Sequence, residues 1–295
     1  MKLNKNLLSP AEIVDAVIDT GVKKVKRTSI QMLVLGMMAG AFIAFGAYVS
    51  TVAIHAFPVE NSGLSSLLQG AVFPVGLILV LVAGADLFTG NNLIFLGVLE
   101  GKITKKEMLK NWILVYIGNL LGSLVFAWLI YMSGLFSATE GLLGAVHVEV
   151  AANKATLPFV EAFFRGILCN FAVCLAVWMG IGAKDMVGKA IASWFPIMAF
   201  VAGSFEHSIA NMYYIPAGIL AKQESSVQAI LSLDTMTGVN WTALLNNLIP
   251  VTMGNIVGGA VIIAGAYWLI FRGQSQENEL KITKKSYGKQ IGSTN

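Results

Sequence analysis

The sequence predicts an all-α integral membrane fold: six transmembrane helices in two inverted halves of three, with the second and fifth spans interrupted. Three observations lead there. Hydrophobic residues make up 56% of the 295 residues and charged residues 12%, with a mean hydropathy of +0.72, a balance foreign to soluble domains. Long apolar stretches recur at about 32–56, 67–85, 112–132, 159–181, 191–220 and 244–271, most near the roughly 20 residues a helix needs to cross hydrocarbon. Two of them are broken in matching positions by polar clusters: Gly84-Ala85-Asp86-Leu87-Phe88-Thr89-Gly90-Asn91 after Phe73-Pro74, and Gly203-Ser204-Phe205-Glu206-His207-Ser208-Ile209-Ala210-Asn211 after Phe195-Pro196. A transmembrane barrel would show short alternating segments instead.

Along the chain, residues 1–30 come first as an amphipathic segment. Ser9-Pro10-Ala11-Glu12 has the form of a capping box with proline in the first turn. Val14, Val17, Ile18, Val22 and Val25 follow at three-to-four spacing, which predicts a short helix lying on the cytoplasmic membrane surface, a plain anchor rather than a gate. The charged segment does not read as a cleavable signal. Residues 31–272 hold the spans. Residues 273–295, with Lys281, Lys284, Lys285 and Lys289, read as a disordered basic tail drawn to the membrane.

Cations fix the expected orientation. Lys2, Lys5, Lys23, Lys24, Lys26 and Arg27 precede the first span, Lys102, Lys105, Lys106 and Lys110 follow the second, and Lys184 and Lys189 follow the fourth. The opposite loops hold only Lys154 and Lys222. Both termini are therefore expected in the cytoplasm. The net charge of +4 resides in these segments and implies no nucleic-acid partner.

The third and sixth spans repeat one another. Asn111, Val115, Gly118-Asn119 and Gly122 match Asn247, Val251, Gly254-Asn255 and Gly258 at constant spacing. With three spans per half, the second half must be inverted, and the binding or permeation site belongs where the broken helices meet. The glycines at four-residue spacing serve close helix packing.

A break in lipid frees backbone groups that cost several kcal/mol each if unsatisfied. Half-helices resuming near Asn91 and Ser208 would aim their positive ends at the midplane and favour an anion there. His207 at such depth is a functional candidate, because its proton moves near neutral pH and can pass to a weak-acid anion. Thr89 would lie near it if the breaks meet. Asp86 and Glu206 are expected to accept from freed backbone amides and hold the loops, since a carboxylate in the path would repel an anion. Asn170 and Asn211 either line the path or tie helices together. Glu161 and Arg165, four apart, suggest an ion pair. His55 and His147 fall in outer loops and carry no signal. Cys169 and Cys174 lie on different helix faces and read as buried, inert thiols. No metal-ligand cluster, nucleophile–base pair or cofactor motif is present, so an enzyme is not expected, and neither break carries the Asn-Pro-Ala of water pores.

At these residues the chain resembles the formate/nitrite transporter family over about residues 10–272. The resemblance rests on Gly84–Gly90, on Gly166-Ile167-Leu168-Cys169-Asn170-Phe171-Ala172-Val173-Cys174-Leu175-Ala176, on Phe205–Met212 and on Asn247–Asn255. It implies an aquaporin-like protomer in a homopentamer of the bacterial cytoplasmic membrane, each subunit with a pore for formate or a similar small monovalent anion, nitrite and hydrosulfide included. It further implies His207 as the central pore histidine and Thr89 as the hydroxyl of a mobile loop. Leu77, Leu87 and Phe88 would form the cytoplasmic constriction and Phe73, Val173 and Phe200 the outer one. Lys154 and Asn170 would attract or orient the anion, and the N-terminal helix would meet a cytoplasmic regulator.

Overall fold

A computed structural model describes residues 7–57 and 62–273. Lys2, Lys5 and the four lysines of the basic tail lie outside them. Helix α1 (Pro10–Val25) begins at the expected capping box, Ser9 and Glu12 each accepting from the other's backbone amide. After it come α2 (Ser29–Val52), α3 (Ser62–Gly84), the short α4 (Phe88–Leu99), α5 (Lys105–Met132) and α6 (Leu142–Ala155). The second half continues with α7 (Phe159–Gly182), α8 (Met186–Ala202), α9 (Ser208–Ala221) and α10 (Trp241–Arg272), two short helical turns lying between α9 and α10.

Among the described residues, α2, α3, α5, α7 and α10 are long and apolar enough to cross a bilayer. The remaining apolar stretch is the pair α8 and α9, split at the second break. Rows of leucine, isoleucine, valine and methionine at four-residue spacing (Ile113, Ile117, Leu121 and Val125 on α5; Leu245, Ile249 and Met253 on α10) stay exposed. Only a bilayer or another subunit would cover so much apolar surface.

The tightest seams are α2 on α5 and α7 on α10. On the first, Gly36 and Gly40 face Gly118, Asn119 and Gly122; a Cβ at Gly118 would sit 2.5 Å from the Leu33 carbonyl and one at Gly36 2.9 Å from that of Val115. On the second, Gly166 faces Val251 and Gly254, with a Cβ at Gly166 2.8 Å from the Val251 carbonyl. Small residues let the backbones approach to contact. They also bring α2 and α7 within reach of the side chains that manage the breaks.

Two expectations are corrected. The apolar stripe of α1 does not lie on lipid: Val14, Val17, Ile18 and Val25 are buried, as is Ile13 beside them, and Val22 is half-buried, against α7, α4 and α5. Nearby, Leu8 N–H donates to Gly182 O at 3.0 Å, pinning the segment to the end of α7. His147 is not in a loop. It sits fully buried on α6, Nδ1 2.8 Å from Leu143 O and Nε2 3.2 Å from Tyr213 Oη, because the segment after α5 folds back as a helix among α2 and α9.

The seams give a direct test. Gly122→Val places a branched side chain on the Met37 backbone, which cannot turn aside, and is expected to lower stability by about 2–3 kcal/mol. Thermal unfolding in detergent measures it, with Gly238→Ala, which meets nothing within 4 Å, as the variant expected to leave the midpoint unchanged.

Candidate functional site

Each break is made by the same backbone manoeuvre. Ala85 N–H reaches Val80 O at 3.0 Å and Phe205 N–H reaches Phe200 O at 3.1 Å, a five-residue return that widens the last turn. The residue before the extended stretch then adopts a left-handed conformation: Gly84 at φ 89° and Ser204 at φ 56°. Glycine takes this at no steric cost, whereas serine is strained by about 1 kcal/mol. The neighbouring Gly203 has φ −79° and does not take this conformation.

Asparagines of the repeated spans close the circuit. Asn119 Oδ1 accepts from Phe88 N–H at 2.9 Å, while its Nδ2 donates to Gly36 O at 2.8 Å and Asp86 O at 2.9 Å. Asn255 does the same in the other half: Oδ1 accepts from Ser208 N–H at 3.0 Å, and Nδ2 donates to Gly166 O at 2.8 Å and Glu206 O at 3.0 Å. Asp86 N–H donates to Leu35 O and Glu206 N–H to Arg165 O. One side chain thus satisfies two backbone groups freed at its break, an amide and a carbonyl, and ties them to a carbonyl of the neighbouring helix. Asn111 and Asn247 add the outer tie, to Asn91 at 2.8 Å and Asn211 at 2.7 Å.

The acids have a different task from the one expected. Neither accepts from a freed amide. Asp86, fully buried, is paired with Arg27 and with Lys24, whose Nζ is 3.0 Å from Oδ1. Lys24 also donates to Asn91 Oδ1 at 2.5 Å. Glu206 accepts from Lys154 at 2.9 Å and from Asn211 Nδ2 at 2.6 Å. A buried carboxylate without such partners would be prohibitive.

The two breaks touch through Thr89 and His207: Oγ1 and Nε2 are 3.0 Å apart, both buried. His207 also caps α9, its Nδ1 accepting from Ala210 N–H at 3.0 Å. An accepting Nδ1 leaves the ring hydrogen of the neutral form on Nε2, so His207 presents a donor toward Thr89. Protonating the ring at Nδ1 would displace the cap.

Above this contact lies a cavity of about 360 Å³ whose lining includes Phe73, Phe200, Lys154, Arg165, Glu206 and His207. Phe73 and Phe200 meet edge to face at 5.6 Å between centroids, and Phe200 stacks on His207 at 5.8 Å. On the far side a space of about 20 Å³, lined by Lys24, Gly90, Asn91 and Val177 among others, is closed by α1. Thr89, Leu77, Leu87, Phe88 and Val173 are buried and line neither space; the Phe88 ring packs on Tyr116 and Trp112. Asn170 ties helices together, Nδ2 lying within 3.2 Å of Thr89 O, Asn92 Oδ1 and Asn255 O. Asn211 likewise sits in the loop tie. Glu161 and Arg165 form the expected pair at 3.2 Å. Both cysteines are free and buried.

A model of the formate/nitrite transporter family matches residues 11–269. The chain belongs to that family. A B. subtilis relative, the uncharacterized transporter YrhG, is 41% identical over 264 residues, covering 89% of this chain and 93% of that protein. The formate channel FocA of E. coli K12 is 38% identical over 273 residues, covering 90% and 95%. Among solved structures, a pentameric formate channel with formate bound is 35% identical and superposes with a TM-score of 0.75, covering 82% of this chain and 97% of that one. The relatives and neighbours are channels and transporters of the aquaporin-like fold. This family member is a membrane transporter of that fold and not an enzyme.

What sequence reasoning missed is Asn119 and Asn255 as managers of the breaks, and Lys24 and Arg27 as partners of Asp86. The signal for the asparagines was present in the repeat, since both recur at the same place in each half. Asn255→Ala strands two buried backbone groups at the break and is expected to cost roughly 3 kcal/mol or more. Asn119→Ala is expected to match it, and Asn240→Ala, an exposed helix cap, to cost about 1 kcal/mol. Denaturant unfolding in detergent ranks the three.

Proposed function

We propose that this protein is a channel for formate and related small monovalent anions, assembled as a homopentamer in the bacterial cytoplasmic membrane with both termini in the cytoplasm. The observation that carries this reading is the Thr89–His207 hydrogen bond, which joins the two interrupted helices beneath a cavity edged by Lys154 and Arg165. The description of FocA as a formate channel, and of a solved neighbour as a pentamer with formate bound, support the substrate and the assembly.

On this reading an anion enters the cavity, passes the Phe73–Phe200 pair and meets the Nε2–H of His207 and the hydroxyl of Thr89. Val173 completes the outer constriction, and Leu77, Leu87 and Phe88 form the inner one. Stripping water from an anion between apolar rings is expensive, and a neutral acid crosses far more easily. His207 lowers the barrier by hydrogen bonding to the anion or by exchanging a proton with it. Lys154 orients the anion at the cavity wall. Asn170 and Asn211 hold the lining in place, and Asp86 and Glu206 hold the loops. Residues 31–272 form the channel, α1 within residues 1–30 receives a cytoplasmic regulator, and the basic tail of 273–295 is drawn to anionic lipid. Nitrite or hydrosulfide is the second reading, nitrite being named in the family's own description.

Formate flux into proteoliposomes across a range of pH tests the histidine. His207→Phe is expected to lower flux about ten- to hundred-fold, the worth of one hydrogen bond to a charged group, and to abolish its pH dependence. His207→Asn, which keeps a cap acceptor for Ala210, is expected to lose the pH dependence as well. Unchanged flux and pH profile in both variants would reject the role. Competition of formate with nitrite and hydrosulfide ranks the anions.

A further inference from the structure

We propose that Arg165 is the charge that collects anions into the cavity, acting ahead of the constriction as a determinant of uptake at low concentration. The inference rests on the anion-channel reading above. Among the described residues, three charged side chains line the cavity: Lys154, Arg165 and Glu206. Lys154 and Glu206 are paired at 2.9 Å with side-chain exposures of 15% and 6%, so their fields largely cancel. Arg165 differs on both counts. Its side chain is 41% exposed, and its partner Glu161 is 54% exposed and holds it through a single contact at 3.2 Å. Such surface pairs are weak and leave the cation available.

Position reinforces charge. The Arg165 carbonyl accepts Glu206 N–H at 3.2 Å, so the backbone that carries the guanidinium is bonded directly to the second break, one residue from His207. A unit charge acting through water over roughly 7 Å raises the local concentration of a monovalent anion about three-fold, and low-dielectric walls increase that. The effect falls on capture, not on passage past His207, and salt screens it.

The experiment is initial formate uptake into proteoliposomes, measured over a range of formate concentrations at about 20 mM and about 300 mM ionic strength. At low ionic strength Arg165→Gln is expected to raise the half-saturating concentration about three-fold or more with the maximal rate unchanged. Arg165→Lys is expected to retain the wild-type value, and Glu161→Gln, which frees the guanidinium, to lower it. At high ionic strength the four proteins are expected to converge. Wild-type uptake with an Arg165→Gln curve superimposed on it at low ionic strength would overturn the role of Arg165. An Arg165→Gln defect that persists undiminished at high ionic strength, or that falls on the maximal rate, would also overturn it. Absence of formate, nitrite and hydrosulfide uptake by the wild type would instead overturn the channel reading on which the inference stands.

Discussion

Two helices stop and restart at membrane depth, and each restart exposes an amide hydrogen and a carbonyl that lipid cannot satisfy. The rest of the architecture follows from how those groups are partnered. A single carboxamide from the repeated span, Asn119 in one half and Asn255 in the other, reaches both and also bonds a carbonyl of the neighbouring helix. It can do so only because α5 lies against α2, and α10 against α7, with no side chain between them at Gly36 and Gly166. Close packing and loop closure are therefore one problem. The glycine seams set the distance that the asparagines span.

Charge is handled by the same division between backbone support and side-chain partners. Asp86 and Glu206 each sit in the middle of an extended stretch, their own amides already bonded to a neighbouring helix. Their carboxylates are turned toward cations arriving on α1 and α6. This keeps the negative groups neutralised beside a region that must admit an anion, and it leaves Nε2–H of His207 and the hydroxyl of Thr89 as the groups that join the two breaks. It also ties two helices that do not cross the membrane to the segments that interrupt it.

Much of this was legible in the residues. Apolar runs, matching breaks and the Asn–Gly repeat gave the all-helical fold, the two interruptions and the meeting of Thr89 with His207. Capping chemistry placed the start of α1 at Ser9. The partners of Asp86 were not legible, because Lys24 and Arg27 lie about sixty residues away and local pattern carries no record of which cation crosses that distance. The same limit hid the burial of α1: an apolar stripe at helical spacing looks alike whether lipid or protein covers it. His147 was misplaced for a related reason. A fourteen-residue helix between spans has the length of a loop excursion, and only the packing of Tyr213 and Tyr48 around the imidazole reveals it as core. Ser204 in a left-handed conformation was not legible, because serine seldom adopts it and no local pattern marks it.

The cation on α1 has a wider meaning. Lys24 and Lys154 stand 130 residues apart, and so do Gly36 and Gly166, so the lysine that neutralises each break acid precedes its seam glycine by the same interval. Helix α1 is to the first half what α6 is to the second. Each half thus comprises five helices, beginning with the one that brings the lysine, and the two halves share a counter-ion as well as a glycine seam. A truncation that removes the first 30 residues would not trim an appendage; it would delete one member of a matched pair and leave the two halves unequal.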